Sequence, residues 1–193
     1  MTASTEAGGN APPGFTIRGL HHYAYRCQDP VKTRDFYERV LGLPLERAVR
    51  AAALPTTAGE PAHYFHLFFR MQDGSYIAFF DMGDDVRTEP SPNTPPWVNH
   101  IALEVADKDE LLRAKGALEA DGVKVVGPLH HDFIESIYFV DPNGIRIEVT
   151  CRIPEAQQAG TARSPGEEFE LWVRERARAR EFTRAQARVR RKP

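Results

Sequence analysis

A chain of 193 residues, 41% apolar and with a formal net charge of −2, has enough material for one domain with a real core. It contains no run of 18 apolar residues, which excludes a membrane-spanning helix, and its two cysteines, Cys27 and Cys151, make no disulfide framework. The charge is uneven: from Pro165 onward nine Arg or Lys stand against five Glu, about +4, leaving about −6 on the first 164 residues.

The opening stretch MTASTEAGGNAPPG lacks a basic segment followed by an apolar one. Residues 1–15 therefore read as a flexible leader, not a secretory signal, and the expected compartment is the cytoplasm. Next, RGLHHYAYRCQD (18–29) sets His21 and His22 at the head of a strand-like run. PVKTRDFYERVLG predicts a helix, with Pro30 in its first turn, Gly42 as its stop, and Phe36, Val40 and Leu43 near one face. HLFFRMQDGSYIAFFD (66–81) reads as a strand, a tight Asp-Gly turn and a returning strand. A polar, proline-rich connection, GDDVRTEPSPNTPPW, follows.

The same order then returns. NHIALEVAD repeats HHYAYRCQD, aligning His100 with His22 and Asp107 with Asp29. KDELLRAKGALEADG predicts a second helix ending at Gly122, with Leu111, Leu112, Ala114 and Leu118 on its apolar side. SIYFVDPNGIRIEVTC (136–151) is a second strand–turn–strand, in which Gly144 matches Gly74. From histidine to closing glycine the two copies span 20 and 22 residues. The reading is an α+β fold: two tandem βαβββ modules, about 16–82 and 97–152, in one curved-sheet domain over 16–152. A C-terminal helical extension occupies 153–193.

Side chains alternate along strands, so an inward His22 carries Ala24 and Arg26 with it, and an inward His100 carries Ala102 and Glu104. On the last strand Ile145, Ile147 and Val149 form the apolar face, leaving Arg146, Glu148 and Thr150 on the other. A buried carboxylate is costly unless it is paired or metal-bound. His22, His100 and Glu148 thus form a two-histidine, one-carboxylate set. Such donors suit Fe(II), and also Mn(II) or Zn(II), and leave coordination positions open on the ion.

GLHHYAY, FYERVLGL, WVNHIALEV and IYFVDPNGIRIEV, which together mark residues 17 to 152, resemble the vicinal oxygen chelate superfamily. That superfamily includes glyoxalase I, fosfomycin-resistance transferases, bleomycin-binding proteins and extradiol ring-cleaving dioxygenases. The resemblance puts the family's metal ligands on His22, His100 and Glu148. Within it, HHDFIESIYFVDPNGIRIE is similar to the extradiol dioxygenase signature, with Tyr138 ten residues before Glu148 and Asp132 at the spacing of an active-site aspartate. Gly74–Gly144 alignment puts Ala78 opposite Glu148, so no fourth ligand of the glyoxalase I kind is supplied there.

The resemblance implies an Fe(II)-dependent extradiol-type dioxygenase that cleaves a catecholic diol with O2. Tyr138 would bond a diol oxygen, and His66 would be the acid–base group, with His130 and His131 as rivals. Phe68 and Tyr76 would line an aromatic pocket, and Arg26 and Arg146 would meet a substrate carboxylate. Two other readings stand beside it: a non-redox metal-dependent isomerase, lyase or epimerase of the glyoxalase type, and a small-molecule binding protein of the same fold. A homodimer is the family-level expectation; nucleic acid and membrane are not expected partners. In the tail, Ser164, Pro165 and Glu167 open a helix, whose Phe169, Trp172 and Val173 share one side and are expected to dock on a module or a second subunit.

Overall fold

The structure, a computed structural model, describes residues 18–55, 61–84, 86, 93–131, 133–154 and 163–189. The expected leader, residues 1–15, lies outside them. The first module runs β1 (His22–Arg26), α1 (Pro30–Asp35), a π-helical turn (Phe36–Val40), β2 (Leu45–Pro55), β3 (Pro61–Arg70) and β4 (Tyr76–Asp81). The second runs β5 (Ile101–Glu104), α2 (Lys108–Ala120), β6 (Val126–His131), β7 (Ile134–Val140) and β8 (Arg146–Arg152), and α3 (Pro165–Val189) follows. Each module is a four-stranded mixed sheet, ordered β1-β4-β3-β2 and β5-β8-β7-β6. In both, the first strand pairs parallel with the last and the other pairings are antiparallel. A parallel partner needs a crossover, and the helix after each first strand supplies it. The two modules therefore share one topology, as the repeat predicts.

The recurring Asp has a physical role in each copy. Asp29 caps α1 by accepting from the amides of Val31 and Lys32 at 2.9 and 3.1 Å. Asp107 accepts from Glu110 N at 2.9 Å while the Glu110 carboxylate accepts from Ala106 N at 3.0 Å, so α2 starts in a reciprocal cap. The first helix departs from the expected single helix over 30–42. It is α-helical only to Asp35, and Leu41 N then bonds Phe36 O at 3.1 Å, the wider π spacing. Gly74 and Gly144 both hold positive φ, 86° and 83°, in matching turns.

The apolar faces of both sheets enter one core. Phe36, Tyr37, Leu67, Phe69, Ile77 and Phe79 come from the first module, and Leu111, Leu118, Ile137, Phe139, Ile147 and Val149 from the second. Burying each large side chain contributes about 1.5–3 kcal/mol. The seam lies between α1 with its π turn and the Asp-Pro-Asn-Gly turn. Phe36 meets Phe139 at 6.1 Å between ring centroids, and the Tyr37 hydroxyl donates to Asp141 Oδ2 at 3.0 Å. Thr33 Oγ1 and Gln28 N both donate to Asn143 Oδ1, at 3.1 and 3.0 Å.

Strand alternation predicts that Tyr23 and Tyr25 both pack against the helix. Tyr25 packs on the core, but Tyr23 is exposed and only meets the Tyr25 ring, because β1 is an edge strand with a neighbour on one side. α3 opens as expected, with Ser164 N donating to Glu167 Oε2 at 2.8 Å and Glu167 N to Ser164 Oγ at 3.3 Å. Its Phe169, Trp172 and Val173, however, are exposed and are not buried on either module. Among the described residues no helix is long and apolar enough to cross a membrane.

Candidate metal and substrate site

The β7–β8 register sets Tyr138 directly opposite Glu148 and Ser136 opposite Thr150, on the face turned away from the core. Glu148 is only 3% exposed, and both its oxygens are engaged. Tyr138 donates its hydroxyl proton to Oε1 at 3.0 Å, and His100 Nε2 lies 2.9 Å from Oε2. The Tyr138 oxygen also lies 3.0 Å from His131 Nε2. Because the tyrosine proton is committed to Glu148, His131 must donate there. Burial and the Glu148 hydrogen bond raise the Tyr138 pKa, which keeps the phenol protonated. Arg146 lies over the Tyr138 ring, 4.5 Å from its centroid, and its buried Nε has no hydrogen-bond partner among the described residues. Ser136 Oγ donates to Thr150 Oγ1 at 2.9 Å beside this group.

The His100–Glu148 contact tests whether a metal suits the site. His100 Nδ1 is 2.9 Å from the Val98 carbonyl, which can only accept, so the ring proton of a neutral imidazole is on Nδ1. Nε2 then presents a bare lone pair to a carboxylate oxygen at 2.9 Å. Two lone pairs facing each other need a cation between them, either a proton or a metal ion. Ligands at about 2.0–2.2 Å on adjacent positions of one ion are themselves about 3 Å apart. The donor set fits a divalent ion. Among the described residues, though, no three His, Cys, Asp or Glu side chains gather in a metal-holding cluster.

His22 makes its contacts elsewhere, on the first sheet. Its ring meets His66 at 6.2 Å and Phe68 at 5.6 Å, and its Nδ1 lies 2.8 Å from that of His21. His66 is 9% exposed, stacks on Phe80 at 3.6 Å, and keeps a buried Nε2 with no hydrogen-bond partner among the described residues. Burial first, and the neighbouring His22 second, lower its pKa from 6.5 to about 4, so the imidazole is neutral near pH 7. The pocket face here is aromatic where the second module's is polar. His66 and Phe80 correspond to Ser136 and Thr150, Phe68 to Tyr138, and Ala78 to Glu148, with Phe68 opposite Ala78 in register.

A folded-state pKa below the unfolded value means that His66 favours folding above pH 6.5. That contribution is lost as pH falls through about 4. His66→Phe, which keeps the stack on Phe80, is expected to flatten the acid limb of a Tm-against-pH curve between those values. Scanning calorimetry of the metal-free protein checks this.

The structure thus brings together Tyr138, His131, Glu148 and His100, and separately His22 and His66. His130 is exposed on β6 and pairs in register with Glu135, so of the two neighbouring histidines His131 is the one that reaches Tyr138. Asp132 lies outside the described residues. Arg26 pairs with Asp84. Sequence reasoning missed Asp141 as a structural hub, although its place ahead of Pro-Asn-Gly was a signal. It also missed the Val98 carbonyl, which no side-chain pattern reveals.

The family model for the glyoxalase/bleomycin resistance protein/dioxygenase superfamily matches residues 19–149, and the chain belongs to that superfamily. Biphenyl-2,3-diol 1,2-dioxygenase of Paraburkholderia xenovorans is 28% identical over 144 residues, 72% of this chain and 44% of that protein. The enzyme of the same name from Metapseudomonas furukawaii is 27% identical over 144 residues, 72% of this chain and 43% of the relative. The chain thus spans less than half the length of these curated relatives. A fosfomycin resistance protein, FosX, from Listeria monocytogenes, solved with Mn(II), shares the fold at 21% identity and a TM-score of 0.51. That match covers 76% of this chain and 96% of FosX.

Proposed function

We propose that the chain is a divalent-metal-dependent, extradiol-type dioxygenase that opens the ring of a catecholic substrate with O2, with Fe(II) as its metal. The observation that supports this best is the buried Glu148 carboxylate, clamped between His100 Nε2 and the Tyr138 hydroxyl with His131 behind it. His100 and Glu148 hold the ion, and His22 is the third ligand. Because His22 stands with His66 and Phe68, the set is completed across two copies, His22 of one chain meeting His100 and Glu148 of the other in a homodimer. When bound, Fe(II) would supply the redox and Lewis-acid chemistry that a diol and dioxygen need.

The remaining chemistry belongs to the side chains. Tyr138 stays protonated and, when a diol binds, turns its hydroxyl from Glu148 to a diol oxygen, while His131 holds the phenol in place. His66, whose buried Nε2 has no hydrogen-bond partner among the described residues, is the acid–base group for a phenolic proton. Phe68 and Tyr76, 5.9 Å apart, give an apolar wall for the ring. Arg146 presents positive charge over Tyr138 and favours a substrate with an anionic substituent.

The test is oxygen uptake by Fe(II)-loaded protein, prepared anaerobically, with a panel of one- and two-ring catechols. Stoichiometric oxygen use with a yellow ring-opened product is expected. Tyr138→Phe should lower kcat about 100-fold or more, within the range for a positioned acid–base or hydrogen-bonding group. No uptake by verifiably loaded protein across the panel would favour the non-redox isomerase or lyase reading, which uses the same ligands.

A further inference from the structure

We infer that α3 is a self-association element, pairing antiparallel with α3 of a second copy about a two-fold axis near Arg176. A 25-residue helix whose described side chains are almost all exposed has little to stabilise it alone. Its exposed face is nonetheless apolar at one end: Phe169, Trp172 and Val173 are 64%, 63% and 45% exposed and lie at i, i+3 and i+4. By helical spacing the same line continues through positions 176, 180 and 184, all arginine.

The two ends of α3 carry opposite charge. Residues 165–175 hold four Glu and one Arg, net −3, and residues 176–189 hold five Arg and one Glu, net +4. Parallel pairing sets like against like. Antiparallel pairing sets each acidic end against the other copy's basic end, twice over. A surface that complements itself through a two-fold is what an isologous dimer requires. This charge pattern is why a second copy, and not a nucleic acid or an anionic membrane, is the occupant.

The test is Arg176→Cys in the full-length chain, oxidised at low salt. The native Cys27 and Cys151 are buried, which keeps background cross-linking low. A dimer linked through the two introduced thiols is expected, with a yield that falls as salt screens the charges and is lost when Trp172→Glu is added. Reversing Glu167, Glu168 and Glu170 to Arg in the same variant should also abolish it. Mixing that chain with one that carries Arg176→Cys and has Arg178, Arg180 and Arg184 changed to Glu should restore it as a heterodimer. Absence of the cross-link at low salt, or a cross-link indifferent to Trp172→Glu, would overturn the inference. So would capture of the chain on duplex DNA or anionic phospholipid vesicles without the cross-link.

Discussion

Glu148→Gln is expected to abolish divalent-metal binding while leaving the metal-free protein at least as stable as the wild type. In the wild type, Glu148 Oε2 faces His100 Nε2 at 2.9 Å, and the Val98 carbonyl draws the imidazole proton to the opposite nitrogen. Without a cation that contact is unfavourable. A carboxamide can donate its N–H to Nε2 and still accept from Tyr138, so it satisfies both neighbours with no ion present. It also removes the charge that holds a metal. Affinity should fall by more than the roughly 10–100-fold that follows loss of an outer-shell partner. Differential scanning with and without Mn(II) checks both halves: the metal-induced rise in Tm should vanish and the metal-free Tm should hold or rise. A mutant that still gains stability from Mn(II) would place the metal elsewhere.

Asp141→Ala is expected to be the most destabilising single change in the chain, about 3–5 kcal/mol, as for other losses of a buried charged hydrogen-bond partner. Asp141 is 4% exposed and accepts from Ile145 N at 2.8 Å, Asn143 N at 2.9 Å, Asn143 Nδ2 at 3.0 Å and the Tyr37 hydroxyl at 3.0 Å. Alanine leaves all four donors buried and unpaired, and Tyr37 is itself fully buried. The change therefore loosens the turn and the seam between modules together. Asp141→Asn keeps the oxygen that serves the two amides and should cost less than alanine. Urea unfolding monitored by circular dichroism measures the order. Equal losses for Asn and Ala would mean that the amide contacts do not matter.

Much of the fold could be read from spacing because each module punctuates itself. The Asp after each first strand is a helix cap, and Gly74 and Gly144 occupy turns that need positive φ, so both recur at fixed places. Strand parity put Glu148 off the apolar face of its strand, and the structure sets Tyr138 against it and Phe68 against Ala78 in the matching register. Parity could not say how the two sheets sit together. That depends on α1 and its π turn docking through Thr33 and Tyr37 onto Asn143 and Asp141, contacts between residues 110 and 104 positions apart. Hence the separation of His22 from His100 and Glu148 was not legible. Nor was the choice of His131 over His130, because the β6–β7 register shifts between Val126 and Leu129 and resets which loop side chain reaches Tyr138. The π turn after Asp35 likewise has no marker in a sequence that reads as continuous helix.

The most direct test of a metal seat built from His22, His100 and Glu148 is a mixing experiment between two inactive chains. His22→Ala and Glu148→Ala proteins are each titrated with Fe(II) under anaerobic conditions, then mixed, allowed to exchange subunits and titrated again. Neither variant should bind alone. In each mixed dimer one site has lost both residues and the other retains His22 from one chain and Glu148 from its partner, so one tight site per mixed dimer is predicted. Full binding by the His22→Ala chain alone would contradict the ligand set, and no recovery in the exchanged mixture would contradict its assembly across two copies.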